Sequence, residues 1–436
     1  MVPRSVRRGT TRGKRPHRTT PPAPVPIGAD TIGLMQIVVV GAGVMGTWTA
    51  LWLCRASHDV TLVDRHGPGN RLGSSGDESR ITRSSHGPDR HYPVWQRRAL
   101  GHWRDLERTS GTKLFEQAGV LWLANDAQSF EGESAEVLAD LRIPIERWTS
   151  DDLATRLPVV NPEGVPWALL EPEAGALFAR PAVMAAQDRF VSEGGRIVVG
   201  RVLPPGTPSA GEVLGRVTLD DGQRLEADAF AFACGPWLPD LFPDVLGELI
   251  VPHRQDVMHF AIPEGDPRWL PGAMPVWIDF EGSFYGFPSF DGVGAKACPD
   301  WLGPIERPDE SAREVAESTI DASRTLLRHR FPALADRPVV KTWTCFYEVT
   351  PDANFVIDRH PAFGDTWIAG GGTGHAFKHG PVIGEYLAAR ITGSTAVAEE
   401  LAPPDDRFAL RAREASPSFR TSGRVPASIA IEGISA

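Results

Sequence analysis

Three glycines and an aspartate pose the first chemical question. Gly41, Gly43 and Gly46 stand in the spacing G-x-G-x-x-G, and Asp64 follows 18 residues after Gly46. Such a turn lets backbone N–H groups approach a pyrophosphate, and an acid about 20 residues on suits a ribose hydroxyl. A second glycine cluster, "GGGTGHAFKHG", occupies 370–380 and ends in His and Lys side chains. Between the two lies "KTWTCFYEVTPD", 341–352, which sets Cys345 among aromatic and β-branched residues. A lone cysteine in such a run is ordinarily a packing residue. A neighbouring cation or helix end would instead make it a thiolate, and so a nucleophile.

These residues need elements to position them. "QIVVV", 36–40, reads as a buried parallel strand; "TWTALWLCRASH" has helical apolar spacing; "DVTLVD" is a second strand ending in Asp64. The βαβ setting turns a weak glycine pattern into a dinucleotide site without separating NAD from FAD. "DTWIAGGGTGHAFKHGPVIGEYLAARITG" repeats the order strand, Gly-rich loop, helix at the other end of the chain. One cofactor spanning both turns accounts for both. FAD suits this better than NAD, because a helix N-terminus and a nearby lysine stabilise the negative charge of reduced flavin. In the middle, "GGRIVVGRVL" and "VTLDDGQRLEADAFAFACG" read as strands with a turn at "DDG", and "PVWIDFEGSFYGFPSFDGVGAKACPD" reads as a meander in a different sheet. "ESAREVAESTIDASRTLLRHRF", 310–331, predicts an amphipathic helix.

The 436 residues, 42% hydrophobic and 23% charged, suit a globular protein of two domains. No apolar run approaches the ~20 residues of a membrane span, so no membrane partner is expected. Residues 1–34 carry seven Lys or Arg against one acid, within a total of −10. That head is expected to be disordered. Arg7 and Arg8 are not followed by the apolar stretch of an export signal, and Met35 directly precedes the first strand. The acidic remainder argues against nucleic acid. Four scattered cysteines, Cys54, Cys234, Cys298 and Cys345, make no disulfide framework and point to a reducing, cytoplasmic setting.

From about 36 to 412 the chain resembles the monomeric sarcosine oxidase and N-methyltryptophan oxidase family, within the D-amino-acid-oxidase superfamily. The motifs that carry the resemblance are "GAGVMG", "GSSGDESRITR", "YGFPSFDGVGAK", "CFYEVTPDANFVIDRHP" and "GGGTGHAFKHGP", in family order. The resemblance implies FAD, bonded at its 8α carbon to Cys345. Cys298, two residues past Lys296, is the rival thiol; Cys54 and Cys234 are taken as packing residues. The resemblance further implies that Lys296 lies above the flavin where oxygen reacts. Arg83 and Lys378 would grip a substrate carboxylate, and Arg80 would pack beside the ring. Tyr285 and Tyr347 would wall the site, and His375 would lie near the flavin. Met45, Arg65, Ser74, Ser75, Gly372 and Gly374 join Gly41, Gly43, Gly46 and Asp64 as cofactor residues. No metal is implied. The chain departs from the family at Asp300, where a pocket histidine is common, and at Phe284, where a tyrosine is common; the first puts sarcosine itself in doubt. Trp277 and Trp343 near the motifs suggest a larger, more apolar substrate.

The expected fold is α/β: a Rossmann-like FAD-binding domain (35–114, 175–245 and 350–412) interleaved with an antiparallel-sheet α+β substrate domain (115–174 and 246–349). A basic head (1–34) and a flexible tail (413–436) flank them. The expected chemistry is oxidation of the C–N bond of a secondary or cyclic amino acid to an imine, with oxygen reduced to hydrogen peroxide, by a monomer. The alternatives are a flavin dehydrogenase with another acceptor and a nicotinamide-dependent dehydrogenase.

Overall fold

The computed structural model describes residues 33–126, 129–209 and 211–415. All but the last two residues of the basic head, and residues 416–436 of the expected tail, lie outside these. The apolar run Gln36–Val40 is a strand flanked by parallel partners, Asp59–Asp64 on one side and Ala229–Phe232 on the other. With both faces covered, it needs no polar alternation. The sheet has six strands, ordered Val356–Arg359, Thr366–Gly370, Ala229–Phe232, Gln36–Val40, Asp59–Asp64, Arg196–Val199. Only the first pair is antiparallel.

Helix Val44–Arg55 leaves the first glycine turn, and helix Gly380–Thr392 follows the second. They pack very closely. A Cβ on Gly384 would lie 2.5 Å from the carbonyl carbon of Trp48, and Trp52 Nε1 donates to the Pro381 carbonyl at 2.9 Å. Because Gln36–Val40 and Thr366–Gly370 run the same way, both turns emerge at the C-terminal edge of the sheet, where open α/β sheets bind ligands. Helix His91–Ser110 covers this layer with Tyr92, Trp95, Ala99, Trp103 and Leu106 buried. The sequence reading assigns no element there, although those residues recur at helical spacing.

A second sheet has eight strands, ordered Val339–Val349, Val251–Ala261, Gly294–Pro299, Phe284–Phe287, Val276–Asp279, Val120–Ala124, Trp167–Glu171, Glu146–Thr149. The predicted meander is its centre. It is not wholly antiparallel: Val276–Asp279 pairs parallel with Val120–Ala124, which joins its two chain segments. Helix Glu317–Arg330 packs on it and starts later than predicted. Arg313 takes a left-handed φ of +56°, so 310–316 cannot continue the helix. Trp277 and Phe284 belong to the core beneath this helix. The Trp277 ring lies 4.3 Å from that of Phe331 and 5.4 Å from that of Phe284, between centroids. Trp277 therefore enlarges no pocket. A three-stranded sheet, Ser79–Thr82, Gly175–Phe178 and Phe115–Glu116, carries Arg80.

Candidate cofactor cavity and active site

A cavity of about 490 Å³ opens at the C-terminal edge of the six-stranded sheet, and both glycine turns line it. Its wall includes Gly41, Gly43, Met45, Asp64, Arg65, Ser74, Ser75, Arg80, Cys345, Tyr347, Gly372 and Gly374. The first turn has no room for a side chain at Gly41 or Gly46. Gly41 has φ +100°, and a Cβ there would come 2.4 Å from the Ala233 carbonyl oxygen. Gly46 lies behind the wall, where a Cβ would come 1.9 Å from the Gly41 carbonyl oxygen. Asp64 does more than face the cavity. Its Oδ2 accepts the Ala42 N–H at 2.8 Å, and its Oδ1 accepts the His66 N–H at 2.8 Å, so it also braces the turn. Ser75 Oγ accepts the Val44 N–H at 3.1 Å. Arg65 pairs with Asp309 at 2.6 Å, an acid that also accepts Trp237 Nε1 at 2.8 Å. Glycines that cannot be replaced, a helix start aimed at the cavity and polar groups from both turns suit a dinucleotide cofactor.

Lys296 is 3% exposed, so it is no solvated strand lysine. Its Nζ meets Asp77 Oδ2 at 2.7 Å and the Ser79 carbonyl at 3.3 Å. Arg80 Nη1 shares the same Asp77 oxygen at 2.5 Å, and its Nη2 donates to the Ser74 carbonyl at 2.7 Å. Burial alone would raise the Asp77 carboxyl. The two cations outweigh it and hold Asp77 far below the usual carboxylate range. Lys296 and Asp77 line a second cavity of about 350 Å³ with Trp343, Arg180 and His259.

Cys345 is 5% exposed and lies in the cofactor cavity wall. Cys298 is fully buried behind it, its Sγ accepting the Met258 N–H at 3.4 Å, and its thiol is pushed up to about 12. As the i, i+2 spacing predicts, Lys296 and Cys298 share a strand face, but only Cys345 of these two thiols reaches the cavity. Burial raises the Cys345 thiol, and Arg80 pulls it the other way. Cys234, read as a packing residue, also lines the cavity. Tyr285 packs against Cys298 and Cys345, and burial raises its phenol. The Tyr347 hydroxyl donates to Asp300 Oδ1 at 3.1 Å, which ties Asp300 to the strand that carries Cys345.

Arg83 and Lys378 are buried as well, 6% and 2% exposed. Arg83 donates to the Ser85 carbonyl and lies 5.0 Å over the Trp122 ring. Lys378 Nζ donates to the His375 carbonyl at 2.8 Å. His375 stacks on Phe355 and shares a hydrogen bond of 3.0 Å with the Ala353 carbonyl. Its ring nitrogens approach those of His86 and His379, forming a buried group of three imidazoles. Burial first, then Arg83 at His86 and Lys378 at His379, lower both imidazoles well below the ordinary range, so further positive charge is disfavoured there. The predicted residues thus form two groups. Lys296 and Arg80 gather around Asp77, with Cys345 and Tyr285 beside Arg80, and Arg83 and Lys378 lie beside the imidazoles of His86, His375 and His379. Strand Ser79–Thr82 links them, because it carries Arg80 and ends just before Arg83.

Two acids escaped the sequence reading. Asp77 stands three residues before Arg80 in a quoted motif, a spacing that signals a pair. Glu348 is a charged residue within the strand Val339–Val349, and it lines the cavity.

Comparison with known proteins agrees with this geometry. The DAO family model, described as FAD dependent oxidoreductase, matches residues 36–390. Monomeric sarcosine oxidase of Bacillus sp. (strain NS-129) is 30% identical over 362 residues, 82% of this chain and 92% of that protein. N-methyl-L-tryptophan oxidase of Yersinia pestis is 24% identical over 359 residues, 81% and 94% of the two chains. The crystal structure of L-proline dehydrogenase from P. horikoshii superposes with a TM-score of 0.70 at 21% identity, over 83% of this chain and 94% of that one, and shows the same fold. The chain belongs to the DAO family of FAD-dependent oxidoreductases.

Proposed function

We propose that the protein oxidises the C–N bond of a secondary or cyclic amino acid to an imine and passes the electrons to oxygen, releasing hydrogen peroxide. The observation that carries this is the buried Lys296–Asp77 pair, joined by Arg80, beside a cavity lined by both glycine turns and Cys345. FAD, when bound, accepts the hydride equivalent from the carbon next to nitrogen and delivers electrons to oxygen. The protein does the rest. Helix Val44–Arg55 aims its N-terminus at the pyrophosphate. Cys345 is the residue that links to the flavin. Arg83 and Lys378 fix the carboxylate, and Arg83 suits it because a guanidinium fork matches two oxygens. Tyr285, Tyr347 and Asp300 bound the substrate, and His375, beside Lys378, lies near the flavin. Lys296 holds a fixed positive charge where negative charge develops on oxygen. Asp77 keeps that ammonium in one place. The amine must be neutral to react, so activity should rise with pH through a substrate pKa. The chain would act as a cytoplasmic monomer, its FAD-binding domain built from 35–114, 175–245 and 350–412 under a substrate domain of 115–174 and 246–349.

The test is anaerobic mixing with N-methyl, cyclic and D-amino acids. Bleaching by an N-methyl or cyclic amino acid, with flavin retained in the acid-precipitated protein, is the expected outcome. Bleaching by none of the panel would overturn the amine chemistry, and flavin released entirely by acid would remove the Cys345 link.

A further inference from the structure

Glu348 sits where three loops meet in the wall of the cofactor cavity, 7% exposed. Its Oε1 accepts the Ser74 hydroxyl at 3.2 Å, a hydroxyl that also reaches the Phe346 carbonyl at 2.9 Å. Its Oε2 accepts the Gly372 N–H at 3.4 Å. Gly235 approaches from the third side, where a Cβ would come 3.0 Å from Oε1. These contacts are neutral dipoles, and two of them are long or shared. Among the described residues no Lys, Arg or His forms an ion pair with this carboxyl. The titratable groups around it are Cys234, whose thiol is raised by burial and by Asp64 and Glu348, Cys345 on its own strand, and Arg80, which reaches the Ser74 carbonyl but is engaged by Asp77. FAD brings a pyrophosphate with two negative charges into the same cavity. An ionised Glu348 would then face both desolvation and like charge, with no cation paired to it among the described residues.

We propose that Glu348 accepts FAD only in its protonated form, so that filling the cavity takes up one proton at this carboxyl group. The balance is simple: carboxylate, proton and FAD give the complex with a neutral carboxylic acid, and no bond to the cofactor forms or breaks. Burial already pushes this carboxyl up to about 7 without the cofactor. Below that pH the acid is protonated beforehand and affinity should be flat. Above it each bound FAD must bring a proton, so Kd should rise about tenfold per pH unit. The inference rests on FAD as the cofactor and not on the oxidase reading, and its test needs no amine and no turnover.

The experiment uses the full chain with Cys345→Ser, which makes binding reversible, stripped of FAD. Titration with FAD from pH 6 to 9, followed by flavin fluorescence, gives Kd. Calorimetry at pH 8 in two buffers of different ionisation enthalpy gives the proton count. The expected results are a flat Kd to about pH 7, a tenfold weakening per unit above it, and about one proton taken up per FAD. Glu348→Gln in the same background should bind with no slope. A flat profile with no proton uptake would overturn the proposal and leave Glu348 as an ionised acceptor for a cofactor hydroxyl. An unchanged slope in Glu348→Gln, or no FAD binding at any pH, would overturn it too. The proton count is taken with Glu348 in place, so it stands even if the Gln variant fails to fold.

Discussion

Asp77 and Glu348 are both buried carboxyl groups, 4% and 7% exposed, and burial pushes both towards the neutral acid. They end far apart. Asp77 faces Lys296 and Arg80 and stays ionised to very low pH; Glu348 faces a hydroxyl and an amide and is pushed up to about 7. Burial sets the cost of a charge, and the partner decides whether the charge is kept. The two acids therefore suit different work. Asp77 is a fixed anion that holds the Lys296 ammonium. Glu348 is a group whose charge can change when a ligand arrives.

The strongest way to break the comparison is to remove the fixed anion. Asp77→Ala strands the buried Lys296 ammonium and takes the carboxylate from the half-buried Arg80; leaving a buried charge unpaired typically costs ~3–5 kcal/mol, so its urea midpoint should fall steeply. Glu348→Gln at pH 8 should cost far less or stabilise. Equal losses in the two variants would mean that both acids are merely packing groups.

The pH dependence sharpens the contrast. The folded value of Asp77 is depressed, so its contribution is present above the unfolded value of 3.8 and is lost only as pH falls through the very low folded value. Mild acid should not touch it. Glu348 is the reverse. Its value rises from 4.5 to about 7 on folding, so its contribution is full below 4.5 and is lost as pH rises through about 7. That swing is ~3 kcal/mol at most. In FAD-free protein, the stability difference between wild type and Glu348→Gln should therefore move in favour of the wild type on going from pH 8 to pH 5. A pH-independent difference would contradict the raised value.

A carboxylate ligand would serve Arg83 as Asp77 serves Lys296. Loss of one charge-assisted contact costs ~1.5–3 kcal/mol, so Arg83→Ala should weaken binding of a heterocyclic acid about ten- to hundredfold, with flavin content unchanged. Equal binding by variant and wild type would move the carboxylate site elsewhere.

The cofactor half of the molecule was the more legible in sequence. Gly41 and Gly46 are steric requirements, and such requirements leave a spacing that any reader of the chain can find. The second turn was legible for the same reason, and the meander for its turns at "EGS" and "DGVG". Most candidate site residues entered through motif resemblance, because Lys296 lies on a segment remote from the one that carries Asp77 and Arg80, and only the fold brings it within 3 Å of Asp77. Trp277 shows the limit from the other side. Its neighbourhood in sequence suggested the pocket, but its strand face turned it into the core. Glu348 was visible as a letter yet silent, because its meaning lies in what does not face it.

Lys296, fixed by Asp77, is expected to serve the reaction with oxygen. Wild type and Lys296→Met, each reduced anaerobically by its amine, should be mixed with oxygen in a stopped flow while flavin absorbance is followed. Removing a preorganised charge commonly costs ~10²–10³ in rate, so reoxidation of the variant should slow at least about a hundredfold, with a smaller effect on reduction by the amine. Fast reoxidation of the wild type with release of peroxide is predicted alongside. Reoxidation of Lys296→Met at the wild-type rate would contradict the account, and a wild type that is itself slow with oxygen would make the protein a dehydrogenase with another acceptor.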